Sequence, residues 1–106
     1  MRATSRLLRS CRITLFTREN CGLCSQARSV LSDVWDKRPF AFEQVDIIKP
    51  EAKRWRDLYE FDVPVIHVSK AEWPAENPEL SSKAVKLMHR FTPQDVEAKM
   101  DAVESS

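Results

Sequence analysis

The hydrophobic period changes several times along the chain, and each change marks an element. In residues 12–16, Ile13, Leu15 and Phe16 form a short apolar run of strand formers, which predicts a buried β-strand. After the polar segment 17–20, Ala27, Val30, Leu31 and Val34 recur at the i, i+3, i+4, i+7 spacing of a one-sided helix, predicted over 22–35. Gly22, the only glycine, falls where loop turns into helix, a position suited to unusual dihedrals or close approach by a ligand. Pro39 closes that region, and 40–47 is a second strand whose apolar face shifts between Phe42 and Val45. Pro50 suits a helical first turn, and Ala52, Trp55, Leu58 and Tyr59 then share one side of a segment ending near Glu60, with Lys53, Arg54 and Arg56 in solvent. Residues 63–69 form a third strand with Pro64 at its mouth, either as an edge feature or as a cis bond, because proline inside a central strand removes a ladder hydrogen bond.

Residues 71–82 contain two prolines and no period, and read as a loop long enough to cover or extend a site. Alternation resumes over 84–91, placing Val85, Leu87, His89 and Phe91 on one face and Lys86, Met88 and Arg90 on the other. Thr92, Pro93 and Asp95 combine a helix cap, a first-turn proline and an acid three residues on, and Val96, Met100 and Val103 form the apolar stripe that follows. The order is βαβαββα. Alternating strands and helices at the start imply parallel pairing by right-handed crossover, and the last two strands suit an antiparallel pair. The expected fold is α/β, a four-stranded mixed sheet flanked by three helices, centred on Phe16, Leu31, Phe42, Leu58, Ile66 and Leu87.

A chain of 106 residues supports one such core, placed here in a single domain over 12–106. Its net charge of +1 gives no basic excess for nucleic acid, and no stretch approaches the roughly 20 apolar residues of a membrane-spanning helix, so a soluble protein without either partner is expected. The charge is unevenly spread: Arg2, Arg6, Arg9, Arg12 and Arg18 all precede the first acid, Glu19. Residues 1–11 therefore read as a basic tail or as a short mitochondrial presequence cleaved after Ser10, which leaves the location mitochondrial or cytoplasmic. Three cysteines, Cys11, Cys21 and Cys24, cannot complete a disulfide framework, but the two-residue gap between Cys21 and Cys24 points to redox or metal chemistry.

A thiolate is the reactive form of cysteine, and a helix N-terminus lowers its pKa from an ordinary value of about 8.5. Cys21 lies just ahead of the predicted helix, where free N–H groups and the helix dipole favour negative charge, and Arg18 adds a positive charge on the same loop. Cys24, one turn further in, is the natural resolving thiol. The competing readings are two inert cysteines or half of a zinc site, although only Cys11, His67 and His89 remain to complete four ligands.

At this point the chain resembles a glutaredoxin of the thioredoxin superfamily from about Arg12 to Val103, and the peptide 57–65 is similar to divergent small glutaredoxin-like proteins. The segment T-R-E-N-C-G-L-C resembles the family's active site, which implies Cys21 as nucleophile, Cys24 as resolving cysteine and Arg18 as a glutathione-binding base. D-V-P is similar to the family's T-V-P, which implies that Pro64 is the cis-proline and that the Val63 backbone pairs with the cysteine of glutathione. Asp95 matches the acid that holds the glutathione amine, and its helix-capping role accounts for it equally. The chain departs from the family in Gly22-Leu23, in Asp62, which sets a negative charge beside an anionic tripeptide, and in Phe91-Thr92, where the family has a glycine pair.

The resemblance implies a thiol–disulfide oxidoreductase with glutathione as reductant and disulfide-containing or glutathionylated proteins as partners, working as a monomer. Glycine after the first cysteine also resembles the [2Fe–2S]-binding glutaredoxins, which keeps a cluster carrier as an alternative. Asp62 and the missing glycine pair keep a third, an interaction module with weak catalysis. Among the other residues, His67 and His89 read as satisfied sheet histidines, and Trp35 and Trp55 read as helix packing. Trp73 faces either a substrate or the loop's own base, and Cys11 is either a spare or a regulatory thiol.

Overall fold

The computed structural model describes residues 10–106 and forms the elements in the expected order. They are β1 (Cys11–Thr17), α1 (Gly22–Lys37), β2 (Ala41–Asp46), α2 (Lys53–Tyr59), β3 (Val65–Lys70), β4 (Val85–Met88) and α3 (Pro93–Glu104). Short 3-10 segments at Pro50–Ala52 and Pro78–Lys83 lead into α2 and β4. The four strands form one sheet in the order β2-β1-β3-β4, with β1 parallel to β2 and antiparallel to β3, and β3 antiparallel to β4. The architecture is the α/β one expected. Residues 1–9, with most of the basic tail, lie outside the described residues.

β1 is buried along its whole length, which its central place in the sheet requires. One sheet face carries Ile13, Leu15, Ile66 and Val68, covered by Ala27, Leu31 and Val34 of α1 and by Val96, Met100 and Val103 of α3. Side chains of this size contribute about 1.5–3 kcal/mol each when fully buried, so this layer carries most of the apolar stabilisation. On the opposite face Phe16 and Val65 meet Ile47 and Tyr59, and Phe16 packs its ring 4.4 Å from that of Trp55.

The remainder of that second face is polar and mostly paired internally, with buried Arg12 Nε and Thr14 Oγ1 left without a partner among the described residues. The Arg12 guanidinium donates to the carbonyl oxygens of Trp73 and Pro74 at 3.1 and 2.9 Å and to the Glu76 carboxylate at 3.2 Å. The His67 ring joins the Glu76 carboxylate at 2.8 Å through Nδ1 and the Tyr59 hydroxyl at 2.7 Å through Nε2. His67 is thus the satisfied sheet histidine expected. These bonds tie residues 71–77 across the face as a strap. Because Arg12 pairs with Ser69, the strap lies at the end of the sheet away from the β1–α1 loop, and it neither covers nor extends the cysteine site. Trp73, with Lys70 Nζ 5.8 Å from its ring centroid, stands at the same far end.

Three expectations about packing are corrected. Phe42 is 47% exposed because β2 is an edge strand, with no further strand beyond it among the described residues. Leu58 is 42% exposed because the buried stripe of the second helix runs through Ala52, Trp55 and Tyr59 and leaves it to one side. β4 stops at Met88, since His89 takes φ 64° and breaks the alternation, so its side chain stands at the surface while Phe91 turns into the core. Leu87 is only partly buried, against the helix-covered layer, and Phe16, Leu31 and Ile66 hold the central places expected of them.

Candidate active site

Thr17 ends β1 beside Asp46 of β2, and Phe16 pairs with Val65 at the start of β3. Met88, the last residue of β4, pairs with Val65 as well. The sheet register therefore brings the segments 18–21, 60–64 and 89–92 to one edge, with the first turn of α3 following the last of them.

Asn20 turns the first of these segments with φ 58°, a left-handed conformation that asparagine tolerates better than most residues. The turn delivers Cys21 as the N-cap of α1, with extended φ and ψ of −120° and 106°. The Cys24 N–H donates to Cys21 Sγ at 3.1 Å, and the Ser25 N–H donates to the Cys21 carbonyl oxygen at 3.2 Å. Cysteine sulfur here occupies the place usually taken by a Ser or Asp oxygen, and the first turn of α1 holds no acid to compete for the helix's positive end. Gly22 has no positive φ and open space around its Cβ position, so the unusual dihedral expected of it belongs to Asn20 instead.

Cys21 and Cys24 are joined as a disulfide with Cα atoms 5.2 Å apart. Their exposures differ: Cys24 is fully buried and Cys21 is half-buried, so an incoming group meets the Cys21 sulfur first. The Val63–Pro64 bond is cis, as the resemblance implied, and the Pro64 carbonyl oxygen accepts from the His89 N–H at 2.8 Å. Arg18 Nη1 donates to the Glu60 carbonyl oxygen at 3.5 Å, linking the loop before Cys21 to the loop before Val63. Asp62 lies next to that segment, its carboxylate 3.5 Å from the His89 imidazole.

The profile of the glutaredoxin-like domain family (DUF836) matches residues 12–101. The chain belongs to that family. This glutaredoxin-like chain is also 33% identical over 61 residues to the glutaredoxin-like protein YDR286C homolog of Dictyostelium discoideum, a match covering 54% of this chain and just over half, 56%, of that protein's length. The solved structure of target protein XcR50 from X. campestris is 28% identical, with a TM-score of 0.59, over 85% of this chain and 96% of that one. Chloroplastic thioredoxin z shares the fold at 16% identity and a TM-score of 0.65, over 97% of this chain and 84% of its own.

Of the residues singled out in this glutaredoxin-like sequence, Cys21, Cys24, Arg18, Val63 and Pro64 gather at the one edge. Asp95 stands in the first turn of α3, where its carboxylate accepts from the Thr92 N–H at 2.9 Å while its own N–H donates to Thr92 Oγ1 at 3.1 Å. The reciprocal box accounts for the acid at that position. Sequence reasoning missed His89 as a neighbour of the site. Its left-handed backbone and its bond to the Pro64 carbonyl oxygen, just ahead of β3, are announced by no local pattern.

Proposed function

We propose that this protein is a thiol–disulfide oxidoreductase that uses Cys21 as nucleophile, Cys24 as resolving thiol and glutathione as reductant. One observation carries the reading: the more exposed sulfur of a bonded C-x-x-C pair caps a helix N-terminus and accepts a backbone N–H there. Such a position favours the thiolate and hence attack. In the reduced protein the Cys21 thiolate attacks one sulfur of a substrate disulfide, forms a mixed disulfide and releases the other sulfur as a thiolate. The Cys24 thiolate then attacks Cys21 Sγ, releases the second substrate thiol and restores the Cys21–Cys24 disulfide. Two glutathione molecules reduce that bond and leave as glutathione disulfide, so the two electrons gained by the substrate come from glutathione. When the substrate is a glutathionylated protein, a single glutathione can instead attack the Cys21 mixed disulfide, and Cys24 is then dispensable.

Arg18 and the Val63 backbone, brought to the same edge, would receive the tripeptide. The alternative, an iron–sulfur carrier, would use the sulfur of reduced Cys21 as a metal ligand. Glutathione-driven reduction of a glutathionylated protein by wild type, Cys21→Ser and Cys24→Ser forms is the test. Activity is expected to vanish in Cys21→Ser and to persist in Cys24→Ser. Equal rates in wild type and Cys21→Ser would overturn the reading.

A further inference from the structure

We infer that the turn ahead of Pro64 is a docking ridge for a polypeptide disulfide, with Phe61 as its apolar contact and Asp62 as its charged one. The favoured substrate is then a peptide segment with an apolar and a basic residue beside its cysteine. The inference rests on the redox reading above and names its substrate class.

Phe61 is 90% exposed, the highest value among the large apolar side chains described, while the next, Leu80, is at 56%. A single exposed apolar residue is ordinary. Two further features set this one apart. First, its turn is pinned: the Glu60 N–H donates to the Arg56 carbonyl oxygen and the Asp62 N–H to that of Tyr59, each at 2.9 Å, and Arg18 holds the Glu60 carbonyl oxygen. Tyr59, one residue before Glu60, is itself anchored in the buried aromatic group with Phe16 and Trp55. The ring is thus held out into water by a turn already ordered in the free protein, and binding against it forfeits little backbone entropy.

The second feature is place. Phe61 stands two residues before Val63, and the Arg18 that touches its turn is three residues before Cys21, which sets the ridge at the same end of the sheet as the cysteine a substrate chain would engage. Charge supports the same occupant. The three segments of this edge hold the carboxylates of Glu19, Glu60 and Asp62 against the guanidiniums of Arg18 and Arg90. Asp62 directly precedes the Val63 backbone, where it opposes the carboxylates of a glutathione moiety and attracts a lysine or arginine beside a substrate cysteine. Aromatic residues, phenylalanine among them, are enriched at the buried core of protein interfaces.

The test uses the full chain, reduced and freed of reductant, mixed with three thionitrobenzoate mixed disulfides. These are a heptapeptide with leucine and lysine flanking its cysteine, the same peptide with serine and glutamate there, and the 2-mercaptoethanol adduct. Attack by Cys21 releases the coloured thiolate, whose appearance gives the rate. Wild type is expected to prefer the leucine–lysine peptide by about tenfold, and Phe61→Ser to lose about fivefold on that peptide while the 2-mercaptoethanol adduct stays within about twofold. Asp62→Asn is expected to remove the part of the preference due to lysine. Equal rates for the two peptides, or a Phe61→Ser loss shared equally by the small adduct, overturns the ridge while Cys21-dependent release leaves the redox reading standing. Release that is as fast in Cys21→Ser as in wild type overturns both.

Discussion

Cys11 and Cys21 carry the same side chain in contrasting surroundings. Cys11 opens β1 fully buried, and that burial, followed by the hydrogen bond and charge of Glu104 at 3.5 Å, pushes its thiol up from 9.0 to about 11. Cys21 instead sits at a helix N-terminus with a backbone N–H directed at its sulfur. In a Cys21→Ser, Cys24→Ser protein, alkylation of Cys11 by iodoacetamide is expected to stay slow from pH 7 to 9 and to rise only as the pH nears 11. Glu104→Gln should move that rise to lower pH. A folded-state pKa above the unfolded one means that the neutral thiol stabilises the fold at low and neutral pH, and that this contribution is lost as the pH climbs through about 11. Cys11 alkylation at pH 8 matching that of a free cysteine peptide would contradict a silent thiol. The contrast is half visible in the sequence: C-G-L-C ahead of an apolar helix period points to redox or metal chemistry. Nothing near Cys11 in sequence announces Glu104, which arrives from the far end of the chain.

At the level of elements, the local signals that proved reliable were those whose partners lie within one turn. The Thr92–Asp95 box is one, since both hydrogen bonds join residues three apart. Thr92→Ala removes the oxygen that accepts from the Asp95 N–H, and Asp95→Ala the carboxylate that accepts from the Thr92 N–H, so each is expected to lower stability by about 1 kcal/mol in urea unfolding. The double variant is expected to lose less than the sum, because the two bonds brace the same turn and each holds the geometry of the other; additive losses would show that they act independently. The elements misjudged from sequence were those set by distant neighbours. Phe42 has the apolarity of a core residue and is exposed because β2 falls at the sheet edge, an outcome of topology rather than of pattern. Leu58 fits the helical period and yet lies beside the stripe, because the 3-10 turn at Pro50–Ala52 and the packing of Trp55 and Tyr59 fix how the segment is rotated. His89 continues the strand alternation in sequence, while its left-handed backbone, with φ 64°, ends the strand in space.

Across the described residues as a whole, the cysteine pair and the polar anchoring of the strap occupy opposite ends of one sheet. The cysteine pair and the cis-proline stand at one end, and the Arg12–Glu76–His67 strap anchors at the other, with Tyr59 and Lys86 continuing the chain of polar contacts at 2.7 and 3.1 Å. Burial alone would push the Glu76 carboxyl up, but the His67 hydrogen bond and charge, followed by Arg12, bring it below the ordinary glutamate value. A carboxylate held low stabilises the fold above its unfolded pKa, and that support is lost as the pH falls through the folded value. Glu76→Gln leaves the nearly buried Arg12 guanidinium without its counter-charge, and breaking such a pair from one side costs about 3 kcal/mol. The expected result is a protein that unfolds at lower urea concentration at pH 7, with the gap from wild type closing in acid as Glu76 protonates there too. Because the strap lies away from Cys21, the disulfide-exchange rate of the folded variant should match wild type. A large loss of exchange rate in folded Glu76→Gln protein would show that the two ends are coupled, the route on hand being Glu76–His67–Tyr59, whose carbonyl oxygen accepts from the Asp62 N–H.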